Sequence, residues 1–265
     1  MSVVPIERRL KLLERVAVEQ VIQVSELARD FGVSEMTIRR DIRRLERDGF
    51  IRQSYGGATA HVTRSVELAV NARAFQHARE KRLIGLMAST LVESASVVFL
   101  GIGTTCEQLA QFLPARPDLT VVTASLPVAS LLGTRPVRVV ALGGEVRRDE
   151  LSVVGPLAWA GLARWRFDLA IIGAAGMSAR WGITELDDDD AETNRLALEQ
   201  AAFTVVLADG SKIGAAASAI VAPAASAGIL ISDASAPTAE LDALRARGVE
   251  IRLAAETREA HARKR

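Results

Sequence analysis

The chain contains little of what marks a secreted, metal-binding or membrane protein. It has one cysteine, Cys106, and therefore no internal disulfide. Its three histidines are scattered and offer no metal-ligand spacing together with that cysteine. No uncharged apolar run is long enough to span a membrane, and residues 1–20 have no signal-peptide core. We therefore expect a cytoplasmic protein with no metal, no cofactor and no membrane partner.

A strong charge of one sign is also absent. Lys and Arg number 33 and Asp and Glu number 32, which leaves a net charge of +1. Because no global positive field attracts nucleic acid, any affinity for DNA must come from a local cluster. At 265 residues, 49% of them hydrophobic, the chain is long enough for one small and one medium domain with separate cores.

The local cluster lies between Val24 and Ala58. Ser25 is expected to cap a helix over 26–31, Gly32 to make a sharp turn, and Ser34 to cap the next helix. Residues 20–24 have the alternation of a short strand. Before them, a helix over 6–18 is predicted to bury Ile6, Leu10, Leu13 and Ala17, with Arg8, Arg9, Lys11 and Glu14 mostly outside that face.

The helix after Ser34 has an apolar face and an arginine-rich face. Ile38, Ile42 and Leu45 are expected in the core. Guanidinium groups pair with phosphate oxygens and read guanine edges, and the first residues of such a helix reach bases. Asp41, Glu46 and Asp48 are expected to form pairs with arginines of the same helix, which Gly49 ends. Residues 50–57 predict a hairpin, or wing. The predicted DNA contacts are Ser25, Ser34, Glu35, Met36, Thr37, Arg39, Arg40, Arg43 and Arg44, with Arg52 and Tyr55 on the wing.

The alternative for the arginines alone is a solvated helix face. That alternative does not account for two helices, a glycine turn, a core stripe and a wing in this order, which predict a helix-turn-helix for double-stranded DNA. The segment resembles the winged helix-turn-helix of the DeoR family of bacterial transcriptional regulators. The residues that carry the resemblance are Arg8, residues 24–28, Phe31, Val33, Ser34, residues 37–41, Leu45, Gly49 and residues 56–58.

The second half of the chain alternates between strand-like and helical segments. Strands are predicted over 97–100, 119–124, 137–142, 169–173, 204–207 and 228–231, and helices over 78–92, 105–112, 191–201 and 238–247. This alternation predicts a doubly wound, mainly parallel α/β sheet covered on both faces. In such folds ligands bind at the carboxyl ends of the strands.

Three of these strand ends carry groups suited to an anion or a polyol. Residues 101–105 join two glycines to two threonines at the start of a helix, where free N–H groups favour phosphate. Residues 123–125 add hydroxyls, and residues 209–212 add Asp209 and Lys212. Each motif alone is explained by a tight turn, but together they predict a small anionic ligand.

This half resembles the C-terminal sensor domain of the DeoR family, which is related in fold to ribose-5-phosphate isomerase and usually senses sugar phosphates. Matching residues include Glu80, Lys81, residues 182–184 and Glu192. The expected effector-binding residues are Gly101, Gly103, Thr104, Thr105, Thr123, Ser125, Gly144, Gly176, Asp209 and Lys212. The chain departs from the family at Gly101, Ile102, Ala124, Arg195 and residues 177–178. By the resemblance, these departures affect recognition of the sugar part of the ligand and not of its phosphate.

A sugar-phosphate isomerase with an added DNA-binding domain is the alternative. Aldose–ketose isomerisation needs a base next to a carbonyl and acids that move hydroxyl protons, and the isomerase that this domain resembles has aspartates in the loop after a central strand. Residues 173–177 contain none, so the chain is predicted not to be an enzyme. The acidic run Asp187–Asp190 is expected to be a solvated loop before the helix at Ala191, rather than a metal site.

These observations predict a transcriptional regulator, expected to be a repressor of a carbohydrate or related metabolic operon that a small phosphorylated metabolite releases from DNA. Paired half-sites require a homo-oligomer. The expected organisation is a DNA-binding domain over 1–58, a connector over 59–77, an effector-sensing and oligomerisation domain over 78–255, and a charged tail over 256–265.

Overall fold

The computed structural model describes residues 8–9, 11–12, 15, 21–47, 51–54, 57–60, 73, 76–148 and 150–255. The chain divides into two compact units, residues 1–76 and residues 77–265. Each unit has its own hydrophobic core.

The first unit has the element order of a winged helix-turn-helix. Helical residues 8, 9, 11, 12 and 15 precede β1 (Val21–Gln23), α1 (Val24–Asp30), α2 (Glu35–Arg47), β2 (Ile51–Ser54) and β3 (Gly57–Ala60). The three strands pair antiparallel in the order β1-β3-β2. The predicted wing is confirmed as the β2–β3 hairpin, and β3 continues to Ala60.

The core of this unit confirms the apolar face predicted for α2. Ile38, Ile42 and Leu45 are buried there with Leu12 and Leu27. The predicted face of Ile6, Leu10, Leu13 and Ala17 lies outside the described residues. Arg8 was expected outside that face, and this prediction is wrong, because Arg8 is buried against α2.

The two predicted helix caps have different outcomes. Ser34 is confirmed as a cap, since its hydroxyl accepts a hydrogen bond from the Thr37 N–H at 3.3 Å. Ser25 as a cap is wrong. Helix α1 begins at the buried Val24, directly after β1, so Ser25 is an exposed residue inside the helix. Gly32 is confirmed at the turn, where its φ of +63° favours glycine.

The second unit is built on a sheet of seven parallel strands. These strands are β4 (Val97–Leu100), β5 (Thr120–Thr123), β6 (Arg138–Ala141), β9 (Phe167–Gly173), β12 (Ala201–Leu207), β14 (Ile229–Asp233) and β15 (Glu250–Ala254). Their order across the sheet is β15-β14-β12-β9-β4-β5-β6. The six predicted strands are confirmed, whereas β15 was not predicted.

Helices cover both faces of this sheet. The described helices are α3 (Ala78–Ser89), α4 (Thr104–Phe112), α5 (Leu126–Leu132), α6 (Pro156–Leu162), α7 (Asp188–Glu199) and α8 (Thr238–Ala246). Successive residues of β4 belong to different cores, with Phe99 on one face and Val98 and Leu100 on the other. The doubly wound α/β fold is therefore confirmed.

Two small antiparallel sheets complete the unit and were not predicted. One is the hairpin of β7 (Glu145–Arg147) and β8 (Ser152–Val154). The other joins β10 (Gly176–Ser178), β11 (Gly182–Glu185) and β13 (Ala219–Ala222). Helix α7 begins at Asp188 and not at Ala191, because Asp187 caps it by accepting hydrogen bonds from the N–H groups of Asp189 and Asp190.

Two features are absent from the described residues. No helix there is long and apolar enough to cross a membrane. No group of three or more His, Cys, Asp or Glu side chains in that part of the chain has the arrangement of a metal site.

Candidate nucleic-acid interface and effector site

Helix α2 has the properties of a recognition helix. Arg40, Arg43 and Arg44 are exposed on the side opposite the core, and Arg39 is partly exposed. Arg39 Nη2 lies 3.4 Å from Glu35 Oε2, and Arg43 Nε donates to the Arg39 carbonyl at 3.3 Å. These local contacts keep Arg39 and Arg43 on the exposed surface of the helix, where guanidinium groups can pair with phosphates.

The first turn of α2 presents a mixed polar and apolar surface. The hydroxyls of Ser34 and Thr37 are hydrogen-bonded to each other at 2.9 Å. Met36 is 64% exposed although it is apolar. An exposed apolar side chain at this end of the helix suits contact with a thymine methyl group.

Asp41 does not lie in an intrahelical pair, so that prediction is wrong. Its Oδ2 accepts a hydrogen bond from Arg8 Nε at 2.6 Å, and Arg9 Nη1 is 4.0 Å from its Oδ1. The pair is buried because Asp41 lies on the same side of α2 as Ile38 and Ile42. Sequence periodicity marks Asp41 as facing inward, but the partner is 33 residues away.

On the wing, Arg52 lies in β2, paired with Thr59 of β3. Tyr55, Asp48 and Gly49 lie outside the described residues.

The predicted effector residues lie at one edge of the large sheet. Strands β4, β5, β9 and β12 are parallel, so residues 101–105, 123–125, 173–176 and 208–212 all leave its carboxyl edge. Gly101 packs against the backbone of Ile172, where an added Cβ would lie 3.1 Å from Cα. Gly103 has a φ of +97° and open space beside it, and α4 begins at Thr104.

A buried lysine points at the start of α4. Lys81 is 4% exposed, and its Nζ donates a hydrogen bond to Thr104 Oγ1 at 3.1 Å. Its charge and the N-terminus of α4 both favour an anion at this place. Lys81 was matched to the family in sequence but was not among the predicted site residues, because its helix precedes the motif by 23 residues.

Thr123 and Ser125 are buried and take part in local hydrogen bonds. The Ser125 N–H donates to Thr123 Oγ1 at 3.0 Å, and Ser125 Oγ caps α5 by accepting from the Val128 N–H at 3.2 Å. Thr105 is also buried, in the first turn of α4. The hydroxyls of Thr123 and Ser125 thus fix the backbone at the start of α5, at the carboxyl edge of the sheet.

Asp209 and Asp233 form turns after β12 and β14. Asp209 Oδ1 accepts from the Ser211 N–H at 3.1 Å, and Asp233 Oδ2 accepts from the Gly210 N–H at 2.7 Å. Burial disfavours the charged form of Asp233, but hydrogen bonds from Ser235 and Gly210 outweigh it and lower its pKa. Lys212 is partly buried directly after these turns.

Gly144 and Gly176 are explained by close backbone packing. An added Cβ would lie 2.5 Å from the Val154 carbonyl oxygen at Gly144, whose φ is +151°, and 2.6 Å from the Ala215 carbonyl oxygen at Gly176. Their role as effector contacts stays a prediction.

A second polar cluster at β8, β11 and α7 was missed in the sequence. Arg147 forms ion pairs with Asp187, at 2.9 Å, and with Asp190, whose Oδ1 also accepts from the Ser152 hydroxyl at 3.1 Å. The solvated-loop prediction is therefore wrong for Asp190, which is buried. Burial raises its pKa to about 6, although Arg147 and Ser152 favour the ionised form.

Glu185 brings a carboxyl group beside the loop that follows β9. The Ala175 N–H donates to the carbonyl of Thr184 at 3.0 Å, which places β11 along that loop. Asn194 Nδ2 donates to Glu185 Oε1 at 3.2 Å. Burial, together with Asp190 and Glu150, raises the pKa of Glu185 to about 8. No sequence motif marks Glu185, because its neighbours come from separate elements.

Two family models match the chain in succession. The DeoR-like helix-turn-helix domain matches residues 8–64, and the DeoR C-terminal sensor domain matches residues 76–234. The chain belongs to the DeoR family. It is thus a DNA-binding transcriptional regulator and not an enzyme. Helix α2 lies within the first matched range, and the residues at the carboxyl edge of the large sheet described above lie within the second.

Curated relatives are similar over most of their length. The putative aga operon transcriptional repressor of Escherichia coli is 30% identical over 253 residues, which are 94% of each chain. The glycerol-3-phosphate regulon repressor of Escherichia coli is 29% identical over 209 residues, 78% of this chain and 82% of the relative.

Among solved structures, ribose 5-phosphate isomerase A from Methanocaldococcus jannaschii overlaps with 55% of this chain and 56% of its own, at a TM-score of 0.39 and 17% identity. A likeness this low carries no argument about function.

Proposed function

We propose that this DeoR-family regulator is a repressor of a carbohydrate or related metabolic operon, and that a small phosphorylated metabolite, of the sugar-phosphate class, releases it from DNA. The observation that carries the proposal is the buried Lys81 ammonium at Thr104, where α4 begins. A buried cation at a helix N-terminus, beside the open space at Gly103, is suited to a phosphate group.

The effector site proposed here extends along the carboxyl edge of the sheet. Gly101, Gly103, Thr104 and Thr105 surround the phosphate, and Lys81 supplies the countercharge. Thr123, Ser125, Gly144, Gly176, Asp209 and Lys212 complete the set that we expect to lie around the ligand. The names of the two relatives, repressors of an aga operon and of a glycerol-3-phosphate regulon, support repression in metabolism.

Release of DNA follows from linkage. If the phosphorylated metabolite binds more tightly to a state that misaligns paired recognition helices, it must weaken DNA binding by the same free energy. This requires a homo-oligomer on a double-stranded operator with two half-sites. The exposed residues Arg40, Arg43 and Arg44 of α2, with Ser34, Glu35, Thr37 and Arg39, are proposed to contact it. Ser25 and the wing residues Arg52 and Tyr55 stay in the proposed set.

The proposed organisation keeps a DNA-binding domain over 1–58, a connector over 59–77, an oligomerising sensor over 78–255 and a tail over 256–265. As a regulator of chromosomal genes, the protein is proposed to work in the cytoplasm.

The test uses the full-length chain and duplex DNA selected on it from a random-sequence pool. Binding of the selected duplex is measured with and without a panel of sugar phosphates, the matching free sugars and inorganic phosphate. We expect one sugar phosphate to weaken DNA binding at least about tenfold, within the usual range of allosteric coupling, while its free sugar does not. DNA binding that no phosphorylated compound changes would refute the effector class and leave the regulator assignment intact.

A further inference from the structure

The recognition helix is tied to the N-terminal helical residues by a buried ion pair. Arg8 is 6% exposed and Asp41 is 4% exposed, and the Nε–Oδ2 distance is 2.6 Å. Arg9 approaches the other carboxylate oxygen at 4.0 Å. By contrast, the pair of Arg39 and Glu35 lies within α2 and is half-exposed. The buried pair therefore connects α2 to a different part of the unit.

This pair restricts the rotation of α2 about its own axis, which we call its roll, more tightly than the apolar contacts do. Ile38, Ile42 and Leu45 pack on Leu12 and Leu27 through contacts that have no direction. Such contacts tolerate a small change in the roll of the helix more readily than a hydrogen bond does. A short charge-assisted hydrogen bond has a required distance and angle, and Asp41 lies between Ile38 and Leu45 on the helix.

The roll of α2 decides which of its side chains reach base edges. Each residue is about 100° around the helix axis from the next, since a turn contains about 3.6 residues. Contacts with bases depend on this angle, whereas contacts of arginines with phosphates tolerate rotation because the side chains are long and flexible. A change of roll therefore lowers sequence discrimination more than it lowers general affinity for DNA.

We propose that Asp41, through Arg8, is a positioning residue for sequence recognition. It does not touch DNA, since it is buried in the first unit. It sets the angle at which Glu35, Met36, Thr37 and the arginines of α2 face the major groove. The proposal concerns DNA recognition alone and does not depend on the identity of the effector.

The test compares discrimination with stability in the full-length protein. The principal variant is Arg8→Met with Asp41→Leu, because replacing a buried ion pair by apolar side chains of similar volume usually keeps the fold. The second variant is Arg8→Lys, which keeps the charge but lacks the guanidinium fork. The control is Asp30→Asn, which removes the carboxylate of the exposed pair with Arg15 in the same unit.

Two affinities are measured for each variant, one for a duplex selected on the wild-type chain and one for a scrambled duplex, each at several salt concentrations. We expect the ratio of the two affinities to fall at least about tenfold in the double variant, the range in which single base contacts contribute to discrimination. The scrambled-duplex affinity and its salt dependence should stay as in the wild type, because they report phosphate contacts. The affinity ratio of Arg8→Lys should lie between those of the wild type and the double variant. The ratio of Asp30→Asn should match that of the wild type.

Circular dichroism and thermal melting separate this role from a structural one. If the pair serves stability alone, the melting temperature changes while the ratio for the folded protein stays at the wild-type value, and the proposal is overturned. If the double variant does not fold, the same comparison of affinity ratio and melting temperature is made for Arg8→Lys. A drop in both affinities by the same factor would also overturn the proposal, because it would show loss of general DNA contact and not of alignment.

Discussion

Lys81 Nζ donates a hydrogen bond to Thr104 Oγ1 at 3.1 Å, and each residue lies in the first turn of its helix. The two helices start at the carboxyl edge of the parallel sheet, where β4 ends. The charge of Lys81 and the N-terminus of α4 both favour an anion at this edge of the sheet.

The first prediction concerns this lysine. Lys81→Met keeps the length and apolar stem of the side chain but removes the charge, so the effector should lose its main electrostatic partner. We expect the thermal shift produced by the sugar phosphate identified on the wild-type chain to vanish, while affinity for the selected duplex stays within about threefold, well under 1 kcal/mol.

Leu86→Ala is the control for that experiment, since Leu86 is an exposed residue of the same helix. It should keep the full thermal shift. If Lys81→Met still shows the thermal shift at the ligand concentrations used for the wild type, the phosphate group binds elsewhere.

The second prediction concerns the exposed arginines of α2. Arg40→Ala or Arg43→Ala should weaken binding to every duplex and reduce the slope of log affinity against log salt by about 1, because each phosphate contact releases about one counterion. The melting temperature should not change, since both side chains are exposed. Fluorescence anisotropy at several salt concentrations measures the slope.

Arg245→Ala, in α8 of the second unit, is the matched control because that arginine is also an exposed residue of a helix. If the affinity and the salt slope are unchanged in both α2 variants, these arginines do not contact DNA.

The third prediction follows from the contact between α3 and α4. A Cβ added to Gly85 would lie 2.7 Å from the Leu109 backbone nitrogen and 2.8 Å from the Gln108 carbonyl carbon. Backbone atoms cannot move aside as a flexible side chain does. Gly85→Ala should therefore lower the free energy of unfolding by about 1–3 kcal/mol, measured by urea denaturation.

Gly161→Ala provides the comparison, because the added Cβ would meet only the Leu142 Cδ2 at 3.6 Å, an ordinary contact. Gly161 lies inside α6, where alanine is favoured over glycine by up to about 1 kcal/mol. Its replacement should be neutral or stabilising. Equal effects at Gly85 and Gly161 would contradict the close helix contact.

The fourth prediction concerns pH. The pKa of Glu185 rises from 4.5 to about 8, mainly through burial. Between these values the folded state binds more protons than the unfolded state, so the free energy of unfolding falls as pH rises. Glu185→Gln stays neutral and avoids this loss. The variant should be more stable than the wild type at pH 8 by on the order of 1–3 kcal/mol and similar to it near pH 4.5.

Urea denaturation at several pH values measures this difference. Glu192→Gln serves as the control of opposite sign, because the hydrogen bond from Arg195 lowers the pKa of Glu192. It should be slightly less stable than the wild type near neutral pH and should not gain stability at pH 8. If the free energy of unfolding depends on pH in the same way for Glu185→Gln and the wild type, the pKa of Glu185 is not raised in the folded protein.

The sequence by itself determined the fold class, the family, the order of the elements in the first unit, and six of the seven strands in the large sheet. Apolar periodicity in α2 and apolar runs in the strands are local signals, and they depend only on residues a few positions apart. For the same reason the Gly32 turn and the Ser34 cap were predicted correctly.

Only the tertiary structure decided which distant residues meet. Arg8 and Asp41 are 33 residues apart, and Lys81 and Thr104 are 23 apart, so no local pattern couples them. Ser25 failed as a cap because the helix begins two residues earlier than predicted, at the buried Val24, and burial in the core outweighed the local preference for a hydroxyl cap. Asp190 was predicted to be solvated, yet packing of separate elements buries it and raises its pKa to about 6. No local pattern pointed to Glu185, whose pKa is raised by desolvation in the same cluster.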